Sequence, residues 1–377
     1  MRINRISCAQ QLLLTLILAI GFLQSQAQTN PLQLIQDNKA TSIKNQGQSG
    51  TCWDYSTTSL VESETMRKGL LDNPDLSEMY TVRNVYLEKA KNYLLRQGKA
   101  QFSQGGLGHD LIQAIAQYGA VPQEVFQSTS GEIPDHEGLD ELLKHYLDSL
   151  LAHRPIPSNW QAGYLRILDN NIGTAPSQFT YKGKSYTPLS FAKEVLQFNA
   201  EDYVNLTSFT HHPYYQEFVL EAPDNFANGQ FYNLPLEELI QTTEQALRAG
   251  YTVMWDADVS NRNFQQSKGY ALLFANPEEA AQDVIHPDAA EAPYTATLRQ
   301  QLYENLTTQD DHLMHVIGLE KSKGGKVFFN VKNSWGDVGP FNGYIAVSKA
   351  YFAINTVGLV LPKAALSPTL KKKLHLL

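Results

Sequence analysis

Cysteine is almost absent from this chain, and its scarcity limits how the fold can be held together. Cys8 and Cys52 are the only two cysteines among 377 residues. Cys8 lies in an N-terminal segment that we expect to be removed, so the mature chain carries Cys52 alone. A single thiol excludes an internal disulfide, and the fold must depend on buried apolar side chains. The remaining thiol is either a small buried hydrophobe or a reactive group.

The first 27 residues have the pattern of a signal peptide. Arg2 and Arg5 precede an apolar run at 12–23, and "SQA" at 25–27 supplies small residues for cleavage. The run is shorter than the ~20 residues that a membrane-spanning helix needs. We therefore expect an exported mature chain, periplasmic or extracellular, with no stable membrane insertion after cleavage. An uncleaved anchor is the alternative.

The composition is that of a globular protein. Hydrophobic residues make up 42% of the chain, aromatic residues 10% and charged residues 18%, which is enough for a buried core. The net charge of −8 and the pI near 5.7 give no basic surface for phosphates, so we expect no nucleic-acid partner. The sequence leaves the oligomeric state open, a homo-oligomer included.

The segment "NQGQSGTCWDYS", 45–56, places Cys52 between a turn and a helix. Gly47 and Gly50 allow the backbone to bend sharply, and apolar residues then recur at spacings near 3.6 until Gly69, the predicted stop. Backbone N–H groups and the macrodipole at a helix N-terminus favour an anion. This position therefore predicts an accessible thiol with a lowered pKa at Cys52.

A nucleophilic cysteine needs a histidine that is oriented by a third group. "TTQDDHLMHVIGLEKSKGGKVFFNVKNSWG" contains His312 and is predicted to form two antiparallel strands. On the second strand, Val327, Phe329 and Val331 share one face with Asn333. An apolar row that ends at an amide indicates that Asn333 has a polar partner.

Several segments resemble the papain-like cysteine peptidases. "NQGQSGTCW", "DDHLM" and "KNSWG…NGYI" are similar to the cysteine, histidine and asparagine segments of that family, in the same order. "QGGLGHDLIQAIAQYGAVPQEVF" at 104–126 resembles its glycine pair, and "EQALRAGYTVMWDADVS" at 244–260 the strand that opens its second lobe. The resemblance is strongest to the bleomycin-hydrolase-like branch and its exported, aminopeptidase-like bacterial members.

The resemblance implies a catalytic role for four residues. Cys52 attacks the peptide carbonyl, His312 transfers the proton, and Asn333 orients the imidazole. Gln46, six residues before Cys52, completes the oxyanion hole, where one donor typically contributes about 2.7–4 kcal/mol. The substrate is then a peptide or protein, and no metal or organic cofactor is expected.

The resemblance also implies a substrate-binding segment. Its glycine pair lies beside the scissile bond and binds the substrate backbone, and a tryptophan covers the histidine–asparagine hydrogen bond. The residues predicted around the substrate are Gly105, Gly106, Trp335 and Trp53.

Two histidine pairs allow a metal-binding alternative. His312 and His315 form an H-x-x-H pair, which on a helix would share a face. On the predicted strand their odd separation sends them to opposite faces, so only His312 is expected in a cleft. His211 and His212 lie next to each other in an aromatic loop. They fit a structural role, metal ligation or substrate contact, and stay unassigned.

The chain departs from the family in three places. Ser49 replaces the cysteine that papain carries three residues before its nucleophile, so a nearby disulfide is absent. Gly339 and Pro340 replace a tryptophan and a glycine after the asparagine. His312 follows Cys52 by roughly 260 residues, against ~130–150 in papain and the cathepsins. The additional residues fall mainly at 127–235.

This insertion has predicted elements of its own. "GLDELLKHYLDSLLAH" has helical periodicity, "FTYKGKSYT" is typical of a hairpin, and "TPLSFAKEVLQF" begins as a helix capped by Thr187 with Pro188 in its first turn. We therefore expect an ordered, largely helical subdomain that packs against the catalytic lobes.

Both ends of the mature chain bear on access to the site. Cleavage after Ala27 leaves roughly 24 residues before Cys52, so we expect no inhibitory propeptide. In the bleomycin-hydrolase-like branch, the chain end narrows the cleft and favours removal of N-terminal residues. The corresponding candidate here is the C-terminal segment "LSPTLKKKLHLL".

The sequence thus predicts one catalytic domain over residues 28–377, with an α+β, two-lobed, papain-like fold. A helical lobe follows Cys52, a β-barrel-like lobe carries His312 and Asn333, and a largely helical insertion lies between them. The expected function is peptide hydrolysis through a thioester acyl-enzyme, with aminopeptidase-like preference. The alternatives are a secreted cysteine endopeptidase and a non-catalytic peptide-binding protein.

Overall fold

The chain is described by a computed structural model over residues 31–131 and 133–376. The predicted signal peptide lies outside these residues and stays a prediction. Within the described ranges, no helix combines the length and the apolar character needed to cross a bilayer.

Helices dominate the first half of the described chain and strands the second half. The helices are α1 Cys52–Arg67, α2 Glu78–Leu95, α3 Gly108–Tyr118, α4 Leu139–Ala152, α5 Trp160–Asn171, α6 Pro188–Glu194, α7 Leu236–Arg248, α8 Ala296–Glu304, α9 Lys349–Asn355 and α10 Pro368–Lys373. The strands are β1 Gln33–Asp37, β2 Phe179–Tyr181, β3 Lys184–Tyr186, β4 Tyr203–Thr207, β5 Glu217–Val219, β6 Gln230–Asn233, β7 Val253–Ala257, β8 Phe264–Gln265, β9 Tyr270–Ala271, β10 His312–Lys321, β11 Val327–Lys332, β12 Tyr344–Ser348 and β13 Thr356–Pro362.

One mixed sheet organises the strand-rich half. Its order is β5-β6-β4-β13-β7-β10-β11-β12-β9-β8, and β1 pairs with the second half of β10, beyond the end of β7. The two outer strands, β5 and β8, do not pair with each other in the described chain. The lobe expected to be barrel-like is therefore an open sheet in the described chain.

Side chains of the central strands alternate between two cores. Met254 and Leu313 face the core that contains α1. Val253, Trp255 and Met314 face the core that includes residues of α7, α9 and α10. Because the sheet is covered on both faces, these strands are apolar at successive positions.

Helix α1 is buried along most of its length. Its residues from Cys52 to Thr65 are all buried, and several of the polar ones form hydrogen bonds inside the protein. Glu62, for example, accepts hydrogen bonds from the Thr41 hydroxyl at 2.6 Å and from the Leu76 backbone N–H at 2.8 Å. The helix ends at Arg67, and Gly69 follows with a φ of 69°, which confirms the predicted stop.

The predicted elements of the insertion are present. Helix α4, the β2–β3 hairpin and α6 form where the sequence predicts them, and the Thr187 hydroxyl accepts a hydrogen bond from the Ser190 N–H at 3.1 Å. Leu143 and Leu147 of α4 are fully buried in the core that contains α1. The last part of the insertion is not helical. It contains β4, which pairs with β13 and extends the main sheet.

The C-terminal segment packs on the face of the sheet opposite α1. Leu366, Leu370 and Leu374 are buried in the second core, and Lys373 Nζ lies 2.8 Å from Glu238 Oε1 of α7. Up to residue 376, this placement overturns the expectation that the chain end narrows the cleft.

The insertion is an integral part of the α1 core, and this predicts its effect on stability. Leu143→Ala should lower the free energy of unfolding by about 2–5 kcal/mol, because it leaves a cavity among buried neighbours. Its neighbour Leu142 is 46% exposed, so Leu142→Ala should have a much smaller effect. Urea unfolding of both variants measures the difference, and equal effects would contradict the integral packing of α4.

Candidate active site

A tight turn sets the position of Cys52 at the start of α1. Gly47 has a φ of 58°, and a Cβ at this position would lie 2.3 Å from the Pro134 carbonyl oxygen, so no larger residue fits there. The Ser49 hydroxyl donates a hydrogen bond to the Gln46 carbonyl at 2.6 Å. This hydrogen bond connects the two ends of the turn just before Cys52.

The Cys52 side chain lies against the beginning of β10. A hydrogen bond from the Leu313 backbone acts on the Cys52 thiol, and Leu313 directly follows His312 in the chain. The residue is 8% exposed, which makes the sulfur less accessible than the sequence suggests. The first residue of α1 and the first residues of β10 therefore meet at one point.

His312 and Asn333 form the pair that the sequence predicts. His312 Nε2 lies 2.7 Å from Asn333 Oδ1, and because an amide oxygen only accepts, Nε2 carries the hydrogen. In the neutral ring Nδ1 is then free to accept a proton. The Trp335 ring stacks on the imidazole with 4.6 Å between ring centroids, so it shields the hydrogen bond from water.

Gln266 completes this arrangement, although nothing in the sequence singled it out. Asn333 Nδ2 donates a hydrogen bond to Gln266 Oε1 at 3.0 Å, and this fixes which side of the Asn333 amide faces His312. Gln266 lies in a short connection after β8, and a single glutamine in a loop carries no recognisable sequence signal.

Burial disfavours the charged forms of both Cys52 and His312. It raises the pKa of the Cys52 thiol to about 12, although the Leu313 hydrogen bond acts in the opposite direction. It also lowers the pKa of His312 to about 4, against the effect of the Asn333 hydrogen bond. The helix N-terminus does not produce the lowered thiol pKa that the sequence predicts. We therefore expect the thiolate to form together with an imidazolium, as a pair of opposite charges.

Gln46 is held rigidly beside the nucleophile. Its Oε1 accepts a hydrogen bond from the Ser334 hydroxyl at 2.6 Å, and its Nε2 donates one to the Ser49 carbonyl at 2.7 Å. An amide nitrogen carries two hydrogens, so one remains for a substrate oxygen. This orientation suits the predicted oxyanion-hole role.

The glycine pair lies against the start of α1. A Cβ at Gly106 would lie 3.1 Å from the Trp53 ring, and Trp53 Nε1 donates a hydrogen bond to the Gln104 carbonyl at 3.1 Å. Trp53 is 1% exposed. It therefore supports the glycine segment from behind and does not present a surface to a substrate.

The other histidines have separate surroundings. His315 Nδ1 lies 2.9 Å from the Ser59 hydroxyl inside the core, so His312 and His315 bond to different partners and do not form the metal pair considered above. The ligand atoms of His211, His212 and Glu221 lie within 4.8 Å of one another. In this structure both imidazoles bond to the Glu221 carboxylate, at 3.2 and 2.8 Å.

The fold and this arrangement of cysteine, histidine, asparagine and glutamine define a papain-like cysteine peptidase. Residues 175–376 match the Peptidase C1-like family, and residues 32–126 match the Papain family cysteine protease domain. The chain belongs to the Peptidase C1-like family. The two matches contain the histidine half and the cysteine half of the site, respectively.

Similar proteins cover most of the chain. Aminopeptidase G of Lactobacillus delbrueckii subsp. lactis is 27% identical, with 82% of this chain and 78% of the relative aligned. Bleomycin hydrolase of Rattus norvegicus is 22% identical, with coverages of 90% and 84%. The crystal structure of PepW from Lactobacillus rhamnosis HN001 superposes with a TM-score of 0.72 at 20% identity, over 99% of this chain and 95% of that one. The superposition confirms the fold.

The hydrogen bonds of Gln46 predict its contribution to the rate. Gln46→Ala should lower kcat/KM by about 10²–10³-fold, because it removes a fixed donor to the developing oxyanion. Gln48→Ala is a matched control on the same turn, since the Gln48 side chain forms no hydrogen bond with the described residues. Peptide hydrolysis assays measure both variants, and equal losses would assign the effect to the turn.

The opposed pKa shifts predict how Cys52 reacts with iodoacetamide. In His312→Ala the thiol must ionise alone, and its raised pKa leaves little thiolate at neutral pH. Alkylation at pH 7 should slow by about 100-fold or more, and then rise about tenfold per pH unit in the alkaline range. His145→Ala, at an exposed position of α4, is the control. An unchanged rate in His312→Ala would show that the thiolate forms without the imidazole.

Proposed function

We propose that this cysteine peptidase removes residues from the free amino terminus of peptides. The observation that carries the proposal is the position of Asp224 in the insertion. A Cβ at Gly105 would lie only 1.8 Å from Asp224 Oδ2, so the carboxylate rests directly on the glycine pair. By resemblance, this pair binds the substrate backbone beside the scissile bond. Asp224 therefore occupies room that residues preceding that bond would need.

The names of the relatives support the same preference. Aminopeptidases G and W of Lactobacillus delbrueckii subsp. lactis align with 82% and 89% of this chain. The alignments extend over the insertion as well as the catalytic lobes. The names of these relatives thus agree with the position of Asp224, which occupies the side of the cleft that residues preceding the scissile bond would need.

The first half of the reaction uses the charge pair. As Cys52 Sγ attacks the carbonyl carbon, its proton passes to His312 Nδ1, and the negative charge moves to the carbonyl oxygen. Gln46 Nε2 and the Cys52 backbone N–H donate hydrogen bonds to that oxygen. His312 then gives the proton to the leaving amine as the C–N bond breaks, and a thioester remains on Cys52.

The second half restores the enzyme. A water molecule gives one proton to His312 while its oxygen attacks the thioester carbon, and collapse of the intermediate breaks the C–S bond. The proton returns to Cys52, and the released product is a free amino acid. Asn333 holds the imidazole ring in one orientation throughout, because its amide is itself held by Gln266.

The activity and its direction can be tested with one peptide in two forms. The wild-type enzyme should hydrolyse the peptide with a free amino terminus at least about 100-fold faster than its N-acetylated form. Cys52→Ala and His312→Ala should each abolish turnover of both forms while cooperative thermal unfolding is retained. Release of amino acids, followed by chromatography, measures the outcome.

Other outcomes would contradict the proposal. Equal rates on the free and acetylated peptides, with internal cleavage products, would identify an endopeptidase. Turnover that persists in Cys52→Ala would exclude the catalytic role of the thiol. Binding of peptides by the wild-type protein without any turnover would indicate a peptide-binding protein that has kept the fold.

A further inference from the structure

Three carboxylates converge beside the nucleophile and take no part in the chemistry described above. They come from the insertion, from β7 and from the loop before β10, and each acts electrostatically on the Cys52 thiol. The residues are Asp224, Asp256 and Asp310.

Asp256 is the most unusual of the three. It is 1% exposed, and neither of its carboxylate oxygens has a hydrogen-bond partner among the described residues. Asp256 pairs in register with Leu313, and residues directly opposite each other on antiparallel strands project from the same face of the sheet. Leu313 and Cys52 are buried in the same core, the one that contains α1, so the Asp256 side chain projects from the face of the sheet against which Cys52 packs.

Asp224 and Asp310 are joined to each other at the glycine pair. Asp310 Oδ2 accepts a hydrogen bond from the Asp224 backbone N–H at 3.3 Å. Asp224 Oδ1 accepts hydrogen bonds from Gln101 and Ser103, at 3.1 and 3.2 Å. Its Oδ2 is the atom that faces Gly105, so this oxygen is directed at the space where a substrate lies.

The cluster brings three carboxyl groups together, and burial disfavours the charged form of each of them. Lys89 is the basic side chain that acts on Asp224, and it donates its hydrogen bonds to the carbonyl oxygens of Ser103 and Gly105. Burial raises the pKa of Asp256 and Asp310, and repulsion among the carboxylates raises them further, to about 7 for Asp310. A cation bound at this point would relieve both effects.

We propose that Asp256, together with Asp224 and Asp310, binds the α-ammonium group of the substrate's first residue. The inference rests on the proposed aminopeptidase function and names the residues that select the free terminus. An α-nitrogen lies about 2.5 Å from the carbonyl carbon that the sulfur attacks. An ammonium group has three donors and no acceptor, which suits carboxylate oxygens that lack partners.

A substrate lysine is the other source of an ammonium group. That lysine would have to be the substrate residue that precedes the residue being cleaved off. Only this preceding residue would lie further along the glycine segment. Asp224 already rests on Gly105, so that residue has no room. The geometry therefore favours the α-ammonium group.

The test compares substrates that differ in the ammonium group alone. Alanyl-aminomethylcoumarin carries it, and lactyl-aminomethylcoumarin replaces it with a hydroxyl of similar size. The wild-type enzyme should prefer the alanyl compound strongly. Asp256→Asn and Asp224→Asn should each reduce the alanyl-to-lactyl ratio of kcat/KM by about 10- to 100-fold, the range for hydrogen bonds to charged groups. Alkylation of Cys52 by iodoacetamide should remain at least as fast as in the wild type.

The controls separate this inference from the proposed function. Asp72→Asn removes one charge at an exposed position and should leave the ratio unchanged, and thermal unfolding checks that each variant is folded.

If the wild-type enzyme hydrolyses acetylated and free substrates equally, the aminopeptidase function itself fails. If it prefers the free substrate and Asp256→Asn keeps the alanyl-to-lactyl ratio, only the assignment of the carboxylates is overturned. If Asp256→Asn lowers kcat/KM only for N-acetyl-lysyl-alanyl-aminomethylcoumarin, the cluster binds a lysine side chain of the substrate instead.

Discussion

Two hydrogen bonds between Gln46 and Ser334 join the halves of the active site. The Gln46 backbone N–H donates to the Ser334 carbonyl at 2.8 Å, and the Ser334 hydroxyl donates to Gln46 Oε1 at 2.6 Å. Ser334 is the neighbour of Asn333, and the turn that contains Gln46 leads into Cys52. One connection therefore positions the oxyanion donor, the nucleophile and the histidine–asparagine pair relative to one another. Errors of about 1 Å in such an arrangement reduce rates severely.

Low exposure has opposite consequences for the resting enzyme and for the reaction. It keeps Cys52 and His312 neutral in isolation, because each charge alone loses its hydration. It also strengthens the attraction between the two charges once the proton has moved, since little water screens them. In our proposal the carboxylates around Asp256 extend this principle to the substrate, whose ammonium group is the missing positive charge. Peptide binding and activation of the thiol would then be electrostatically linked.

Local patterns explain which features the sequence predicted correctly. The helix from Cys52 to its stop at Gly69, the strands around His312 and Asn333, and the elements of the insertion depend on periodicity and capping within short segments. The features that were missed depend on distant parts of the chain. Gln266 orients Asn333 from 67 positions away, and neither residue's neighbours show that they meet.

The sequence by itself determined the fold family and predicted four catalytic residues, because segments with specific residue types at set spacings are enough to recognise the family. Only the tertiary structure decided what surrounds these residues. It packed the C-terminal helix on the far face of the sheet, placed Asp224 on Gly105, and left Asp256 without a hydrogen-bond partner among the described residues, on the same face of the sheet as Leu313. The physical reason is that burial, charge balance and free space arise from contacts between segments, which no single segment encodes.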